Sequence, residues 1–311
     1  MNRLGFHTIA WLIVTGGLLC DACRQDDDVE PDPSQPAQSS SETGAQGLHD
    51  WACPPGTSGA RMVLIETPDG RAYCIDERET AYAEYKQFVD AKGGDPSGQP
   101  EQCTSNDSFV PVLDNPLDCL PEDWQIDTHP DRPVNCVDFC DAWSYCKWSG
   151  KRLCGIVGAN NGIINDLDVN EFDEVGASAR SEWFNACSQG GTTRYPYGNE
   201  YQAGTCTDKT RVQEEGEEAL NVRNTVDNEC HGTGAPYNEV YDLSGGVHEW
   251  GNLCRQGSCA IQGGYYLEKN AEYLACDVSL GSAAWGTEQF ATGIRCCADA
   301  VEAPRTETYP P

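Results

Sequence analysis

Apolar residues recur with helical spacing in three segments of the chain. In the first, Tyr85, Phe88 and Val89 lie at positions i, i+3 and i+4, after Thr80 and before a pair of glycines that begins at Gly93. Side chains at this spacing share one face of a helix, threonine is a common N-cap, and glycine commonly ends a helix. The pattern therefore predicts a helix that begins near Thr80, buries this face and ends at the glycines.

The second and third helical segments are also marked by their ends. Asp138 precedes an amphipathic run that stops at Gly150, which predicts a helix with an aspartate N-cap and a glycine stop. Residues 181–187 predict a short helix that starts at a serine. The apolar face of the second helix comprises Phe139, Ala142, Trp143 and Cys146.

Outside these segments, short apolar pairs alternate with Gly, Pro, Asn and Asp, a pattern that predicts few regular strands and much ordered loop. All of the 18 cysteines except Cys20 and Cys23 lie from Cys53 to Cys297, without CxxC repeats. An even number over such a span indicates a disulfide framework and an oxidising compartment. Free buried thiols are the alternative, whereas a zinc site would need clustered Cys and His residues.

The net charge of the chain restricts the kinds of partner that we expect. The chain carries 50 acidic and 20 basic side chains, a formal net charge of -30 at pH 7. Nucleic acid is not expected as a partner, because phosphate binding needs a basic surface. Hard cations such as Ca2+ are plausible ligands, because they select oxygen-rich acidic loops.

The N-terminus has the features of an export signal. An apolar run at 9–19 follows Arg3, and it is too short for a mature transmembrane helix. We expect residues 1–22 to be a lipoprotein-type signal peptide and Cys23 to carry the lipid, with Cys20 as the other candidate. The predicted location is the bacterial cell envelope, in the periplasm or at the outer membrane or cell surface, with the lipid as the membrane contact. Plain secretion is the alternative.

Composition divides the rest of the chain into three parts. Residues 23–50 are rich in Asp, Pro, Ser, Gln and Gly, and they predict a disordered acidic linker. Residues 51–300 hold the remaining cysteines and almost all of the tryptophans, which predicts one large domain. Residues 301–311 predict a loose tail.

Six ordered segments of this domain resemble the formylglycine-generating enzyme, or sulfatase-modifying factor, family. The resemblance covers about residues 62–299 and implies an α+β fold related to C-type lectins, with few helices, a small antiparallel sheet and little regular secondary structure. The segments are YCIDERETAYAEYKQFV (73–89), RPVNCVDFCDAWSYCKWSGKRL (132–153), EWFNACSQGGTTRYPYGN (182–199), YDLSGGVHEW (241–250), IQGGYY (261–266) and GIRCCAD (293–299).

The resemblance implies a copper site that this sequence lacks. Active family members oxidise a cysteine of a client sulfatase, using O2 and copper held by two thiolates, and Cu(I) is a soft ion that thiolates suit. The two thiolate positions, counted from Gly264, hold Glu268 and Tyr273, and no cysteine lies between Cys259 and Cys276. We therefore expect no copper and no formylglycine-generating activity. Whether the protein is an enzyme of another kind stays open.

The resemblance also implies two disulfides, Cys146 with Cys296 and Cys187 with Cys276. For the other cysteines the sequence does not determine connectivity. Local pairs that we consider are Cys53 with Cys74, Cys206 with Cys230 and Cys254 with Cys259.

A calcium site is implied in the segment 241–250. The ligands would be the side chains of Asp242 and Glu249 and the carbonyls of Gly245 and Val247, all oxygen donors that Ca2+ accepts. The alternative is that the two carboxylates stabilise a tight turn without a metal. His248 holds a position that is not a ligand in the family, and we expect it to pack or to be partly exposed.

Two other metal sites are less well supported. Residues 166–174 place Asp166, Asp168 and Asn170 with EF-hand-like alternation, but Glu171 and Ala177 occupy positions that need Gly and Glu. A solvated acidic insertion is the better interpretation. A non-haem iron site, used by another branch of the family, needs more histidines than the domain holds.

Aromatic residues give the last candidates. Trp143 and Trp183 fall on predicted core faces. The groove of the lost copper site is predicted to be lined by Tyr265, Tyr266, Glu268, Tyr273 and Trp285. Such a surface suits an unidentified protein, peptide or glycan ligand, although ordinary surface is the alternative. The sequence thus favours a binding or scaffold module over an oxidoreductase that uses a different metal or residue set.

Overall fold

The computed structural model describes residues 50–303, apart from 112, 114–118, 121–123, 223–227 and 279–280. The predicted signal peptide, the lipidation site Cys23, nearly all of the linker and residues 304–311 lie outside the described residues. The described residues belong to one compact unit. In the described part of the chain, each helix is too short or too polar to cross a membrane.

Five α-helices and four short 3-10 helices lie in the described part of the chain. Three of them match the helices expected from the hydrophobic pattern, and two, α3 and α5, were not expected. The helices are α1 (Tyr82–Lys92), α2 (Phe139–Trp148), α3 (Val169–Gly176), α4 (Glu182–Cys187) and α5 (Lys209–Glu215).

The predicted N-cap of α1 is wrong by one residue. Ala81 occupies the cap position, and its backbone N–H donates a hydrogen bond of 2.9 Å to the carboxylate of Glu84. Thr80 bonds to two other segments instead: its N–H donates to the carbonyl of Ile294, and its own carbonyl accepts from the N–H of Val134. The helix ends as predicted, at Gly93 in a left-handed conformation.

The N-cap of α2 is the predicted one, and Ser181, where the third helix was expected to begin, caps α4. The Asp138 carboxylate accepts a hydrogen bond from the N–H of Asp141 at 2.7 Å, and the Ser181 hydroxyl accepts from the N–H of Phe184 at 3.3 Å. Each cap satisfies a backbone donor that the first turn of a helix would otherwise leave without a partner.

The interpretation of 166–174 as a solvated acidic insertion is wrong in part. Most of this segment belongs to α3, which buries Phe172. Asp168 caps the helix by accepting hydrogen bonds from the N–H groups of Asn170 and Glu171, both at 2.9 Å. The acidic alternation that resembles an EF-hand thus includes a helix cap.

Eleven short strands form three small sheets within the described residues. The order is β1-β11 in the first sheet, β2-β3-β10-β4 in the second and β5-β6-β7-β8 in the third, where β9 also pairs with β6. Pairing is antiparallel except for β5 and β9, which run parallel to β6. The strands are β1 (Trp51–Ala52), β2 (Met62–Glu66), β3 (Ala72–Asp76), β4 (Arg152–Leu153), β5 (Asn165–Asp166), β6 (His248–Arg255), β7 (Ser258–Gln262), β8 (Gly281–Ala284), β9 (Thr292–Gly293), β10 (Cys296–Asp299) and β11 (Val301–Glu302).

The core contains the aromatic residues that the hydrophobic pattern placed there. Tyr85 and Phe88 of α1 pack with Phe139 of α2 and with Trp250 of β6 in one buried cluster. The indole N–H of Trp250 donates to the carbonyl of Val137 at 2.9 Å, so this large side chain is buried without an unpaired donor. Trp143 and Trp183 are buried as well, as predicted.

Eight disulfides join all the cysteines of the described part of the chain. They include both pairs implied by the family resemblance and the three local pairs considered from the sequence. Two of them tie the adjacent Cys296 and Cys297 of β10 to α2 and to the residue after β4. The pairs are Cys53–Cys74, Cys103–Cys140, Cys119–Cys136, Cys146–Cys296, Cys154–Cys297, Cys187–Cys276, Cys206–Cys230 and Cys254–Cys259.

Candidate functional site

A glycine turn leads into β6 and positions the predicted calcium ligands. Gly245 and Gly246 both have positive φ, +83° and +64°. A Cβ on Gly245 would lie 2.4 Å from the carbonyl oxygen of Thr207, and one on Gly246 would lie 2.3 Å from Oε1 of Glu79. Only glycine satisfies both the conformation and the space at these positions. The turn is therefore packed directly against Glu79, a residue that comes from the segment between β3 and α1.

Glu249 has a partner for each carboxylate oxygen. Its Oε1 accepts from Nε of Arg295 at 2.8 Å, and its Oε2 accepts from the indole N–H of Trp183. Arg295 is fully buried, and its other nitrogens donate to the carbonyls of Asp76, Tyr241 and Asp242. Glu249 is thus one half of a buried ion pair that also organises the surrounding backbone.

Asp242 and Glu79 are buried but incompletely bonded. Asp242 Oδ2 accepts from the amide of Asn228 at 2.7 Å, and Glu79 Oε1 accepts from the N–H of Val247 at 2.7 Å. Asp242 Oδ1 and Glu79 Oε2 have no hydrogen-bond partner among the described residues. Burial raises the pKa of Glu79 well above its usual value, and the carboxylates of Glu249 and Asp242 raise it further. Burial also raises the pKa of Asp242.

A cavity of about 100 Å³ adjoins these two carboxylates. Asp242 and Glu79 both line it, together with Asn228 and Gly246 from the same region. The charged side chains of Arg211, Glu215 and Glu218 line it as well. The unpaired oxygens therefore belong to residues that border a space large enough for an ion or a few water molecules.

His248 lies next to Glu249 in the chain but borders a different cavity. Its Nδ1 is 2.7 Å from the carbonyl of Gly263, and a carbonyl only accepts, so we assign the proton to Nδ1. The ring packs on Tyr265 with 5.1 Å between ring centroids. Burial lowers the pKa of His248, so the ring is neutral near pH 7. Nε2 is then available as an acceptor. His248 was expected to pack or to be partly exposed, and it is half-buried.

A groove of about 560 Å³ lies beside His248. Tyr265, Glu268 and Tyr273 line it, as the sequence predicted, whereas Tyr266 and Trp285 do not. Tyr266 lines a neighbouring cavity, and Trp285 packs against the main core cluster. The sequence did not indicate the other lining residues, which come from separate strands and loops. These include His248, Ile261, Gln289, Phe290 and Thr292.

Glu268 is held in a fixed position in this groove. Its Oε1 accepts from the N–H groups of Lys269 and Asn270 at 2.8 and 2.7 Å. Tyr273 is 55% exposed and forms part of the rim. The groove thus combines an oriented carboxylate, a neutral imidazole and exposed aromatic surface, a mixture that suits recognition of an organic ligand.

A family model matches most of the described chain. The model is that of the sulfatase-modifying factor enzyme 1-like domain, and it matches residues 65–300. The chain belongs to this family. No curated protein sequence matches the chain.

Several solved structures are similar to this member of the sulfatase-modifying factor family. PvdO from Pseudomonas aeruginosa is 16% identical with a TM-score of 0.44, and the match covers 80% of this chain and 100% of that one. CarF is 16% identical with a TM-score of 0.40, covering 80% and 96%. Treponema denticola variable protein 1 is 15% identical with a TM-score of 0.39, covering 78% and 93%.

The residues at the family's copper position do not suit that ion. Glu268 and Tyr273 both line the groove, but they offer a carboxylate and a phenol where Cu(I) needs thiolates. Every cysteine of the described part is in a disulfide, so none supplies a thiolate. Within the same residues, no three His, Cys, Asp or Glu side chains lie together in a way that could hold a metal ion.

The calcium ligands implied by the family fit this chain only in part. Asp242 is buried and keeps one oxygen without a hydrogen bond, as a ligand to an absent ion would. Glu249 has no such oxygen, since Arg295 and Trp183 occupy both. Calcium binding at this turn stays a prediction.

Proposed function

We propose that this member of the sulfatase-modifying factor family is an exported, lipid-anchored binding module that does not generate formylglycine. One observation carries the proposal: the two copper-ligand positions hold Glu268 and Tyr273. The described cysteines are all in disulfides, so none of them replaces the missing thiolates. The family's oxidation needs a soft-metal site, which these side chains do not provide. The groove keeps the size and the polar and aromatic lining of a ligand site.

The ligand that we propose is a peptide or a glycan. Tyr265 and Tyr273 offer ring faces, and Glu268 and His248 offer hydrogen-bond acceptors, features that both classes use. The lipid on Cys23 would hold the domain at the cell envelope, and the acidic linker would keep it at a distance from the membrane.

Two experiments test the proposal. In the first, the full chain is incubated with copper, O2 and a cysteine-containing sulfatase peptide, and the peptide mass is measured. We expect no conversion of the cysteine. Detection of formylglycine would contradict the proposal and favour the alternative, an oxidoreductase with a different metal or residue set.

The second experiment screens peptide and glycan arrays with the wild-type protein and with groove variants. We expect Tyr273→Ala and Glu268→Gln to lose the ligands that the wild type retains. Trp148→Ala is the matched control, because Trp148 is a partly exposed aromatic residue of α2 outside the groove. Equal binding by the groove variants and the wild type would exclude the groove as the ligand site. Mass spectrometry of the mature N-terminus tests the lipid on Cys23.

A further inference from the structure

Glu268 gives the groove its only formal charge among the described residues that line it. Its neighbours in the lining are apolar or neutral polar side chains, and the ring of His248 is neutral near pH 7. Lys269, the next residue in the chain, is exposed and does not line the groove. The described part of the chain therefore leaves this carboxylate without an ion pair.

One oxygen of Glu268 remains open to a ligand. Oε1 accepts from the N–H groups of Lys269 and Asn270 at 2.8 and 2.7 Å, which uses both of its lone pairs and fixes the carboxylate. Oε2 accepts no hydrogen bond from the described residues. A partly buried carboxylate is stabilised by a cation that donates a hydrogen bond to it, so the groove favours a positively charged ligand group.

His248 provides a second acceptor close to this carboxylate. With its proton on Nδ1, the ring presents Nε2 as an acceptor. The negative charge of Glu268 acts on the ring and opposes the lowering of its pKa by burial, so the two groups lie near each other. A protonated primary amine has one positive charge and three N–H donors, and it can therefore satisfy both acceptors.

We propose that the groove binds the lysine side chain of a peptide, with the ammonium between Glu268 and His248. Because the site is the groove of the proposed binding function, this assignment depends on that function and names its ligand. The apolar part of the lining, which includes Ile261 and Phe290, suits the methylene groups of the lysine stem. Tyr273 at the rim adds an aromatic ring, which attracts a cation to its face. The net charge of -30 would also raise the concentration of cationic ligands around the protein.

Two other cationic groups fit the lining less well. An arginine guanidinium pairs best with a carboxylate through two parallel hydrogen bonds, one to each oxygen, but Oε1 of Glu268 is already occupied. An amino sugar would place hydroxyl groups against the apolar side chains of the groove, where they lose hydrogen bonds to water. A lysine ammonium is a compact charge and needs only one carboxylate oxygen.

Peptides that differ at one position test the assignment on the wild-type protein. The probes are alanine peptides, blocked at both ends, with a central lysine, arginine or norleucine, and their binding to the full chain is titrated by ligand-observed NMR. Norleucine keeps most of the lysine stem and lacks the charge. We expect the lysine peptide to bind at least about tenfold more tightly than the norleucine peptide, because only the former makes charge-assisted hydrogen bonds.

The outcomes separate this assignment from the proposed function. Equal affinity for the lysine and norleucine peptides would overturn the lysine site and leave the binding function in place. Absence of binding by the lysine peptide would overturn it as well, and so would tighter binding of the arginine peptide or of a glucosamine oligosaccharide. An array screen that finds no ligand of any kind would contradict the binding function itself.

Variants then locate the ammonium. Glu268→Gln should weaken binding of the lysine peptide by about tenfold or more and leave that of the norleucine peptide unchanged. Glu272→Gln is the matched control, because Glu272 is an exposed carboxylate of the same segment that does not line the groove. It makes the same change in net charge and should bind the lysine peptide as the wild type does. A similar loss in both variants would show that net charge attracts the peptide, which would overturn the site at Glu268.

Discussion

The glycine turn and the groove meet at two neighbouring residues of β6, Glu249 and His248, and the surroundings of these two residues differ. Glu249 points into the core, where Arg295 and Trp183 hold it, while His248 borders an open space of about 560 Å³. The turn keeps the residue types that the family resemblance requires, and the groove has lost the copper cysteines. A buried polar site has few tolerated alternatives, since each change leaves a partner unpaired. A solvated groove imposes no such cost.

The largest expected effect is loss of the buried ion pair in the turn region. Arg295→Met would leave Glu249 buried without its cation and would remove the donor to three carbonyls, so we expect the free energy of unfolding to fall by about 3–5 kcal/mol. Denaturant unfolding measures it. Arg180→Met is the control, because Arg180 pairs only at the surface and should change stability by about 0.5 kcal/mol or less. A loss below about 1 kcal/mol in Arg295→Met would contradict the stated role of the pair.

A smaller loss of stability is expected when a side chain is added to the glycine turn. Gly246→Ala would place a Cβ 2.3 Å from Oε1 of Glu79 at a φ of +64°, and we expect it to cost about 2–3 kcal/mol of stability. Gly93→Ala is the matched control, because Gly93 has a φ of +57° and open space around its Cβ position. It should cost about 1 kcal/mol, the conformational part alone. Equal losses would show that contact with Glu79 does not constrain the turn.

Asp138 and Asp141 form a buried carboxylate pair away from the turn, and they show how burial shifts the pKa of a carboxyl. Burial raises the pKa of Asp138 to about 7, the N–H of Asp141 opposes the rise, and Glu288 adds to it. Because the folded pKa lies above the unfolded one, the stabilising contribution is complete below about pH 4 and is lost as the pH rises through 7. The slope is at most about 1.4 kcal/mol per pH unit.

Asp138→Asn tests this dependence. Asparagine caps helices as well as aspartate does, so α2 should persist while the titrating group is removed. We expect denaturant unfolding between about pH 4 and 8 to show a flatter profile in the variant, though not a flat one, since the pKa of Asp141 is raised by burial as well. A variant profile that matches the wild type would contradict the assignment to Asp138.

The smallest effect on stability is expected in the groove. Tyr273→Ala removes a side chain that is 55% exposed, and it should change the free energy of unfolding by about 0.5 kcal/mol or less. Thermal unfolding of this variant and of Arg295→Met would therefore give the smallest and the largest of the expected losses of stability. A large loss in Tyr273→Ala would mean that the groove is part of the supporting core and not a separate ligand surface.

Local patterns in the sequence predicted most of the helices and the family resemblance predicted the fold. The spacing of Tyr85 and Phe88 and the cap at Asp138 are local signals, and the structure has both helices. Glu79 was missed because it meets Val247 across 168 residues of chain, and no local pattern reports such a contact. The positions of the Tyr266 and Trp285 side chains depend on contacts with distant segments, which no local pattern in the sequence reports.

The paired disulfides of β10 also decide how the protein would respond to a pulling force. The entering strand β1 pairs with β11, and Cys53 is joined to Cys74 on β3, which lies beside β10. Tension between the N- and C-terminal ends of the domain would pass through the disulfide from Cys53 to β3. Once β3 separates from β10, the tension would pass along the chain to Cys146 and Cys154, which are bonded to β10. A stretched molecule would thus reach only a fraction of its full contour length until a reductant opened the cross-links.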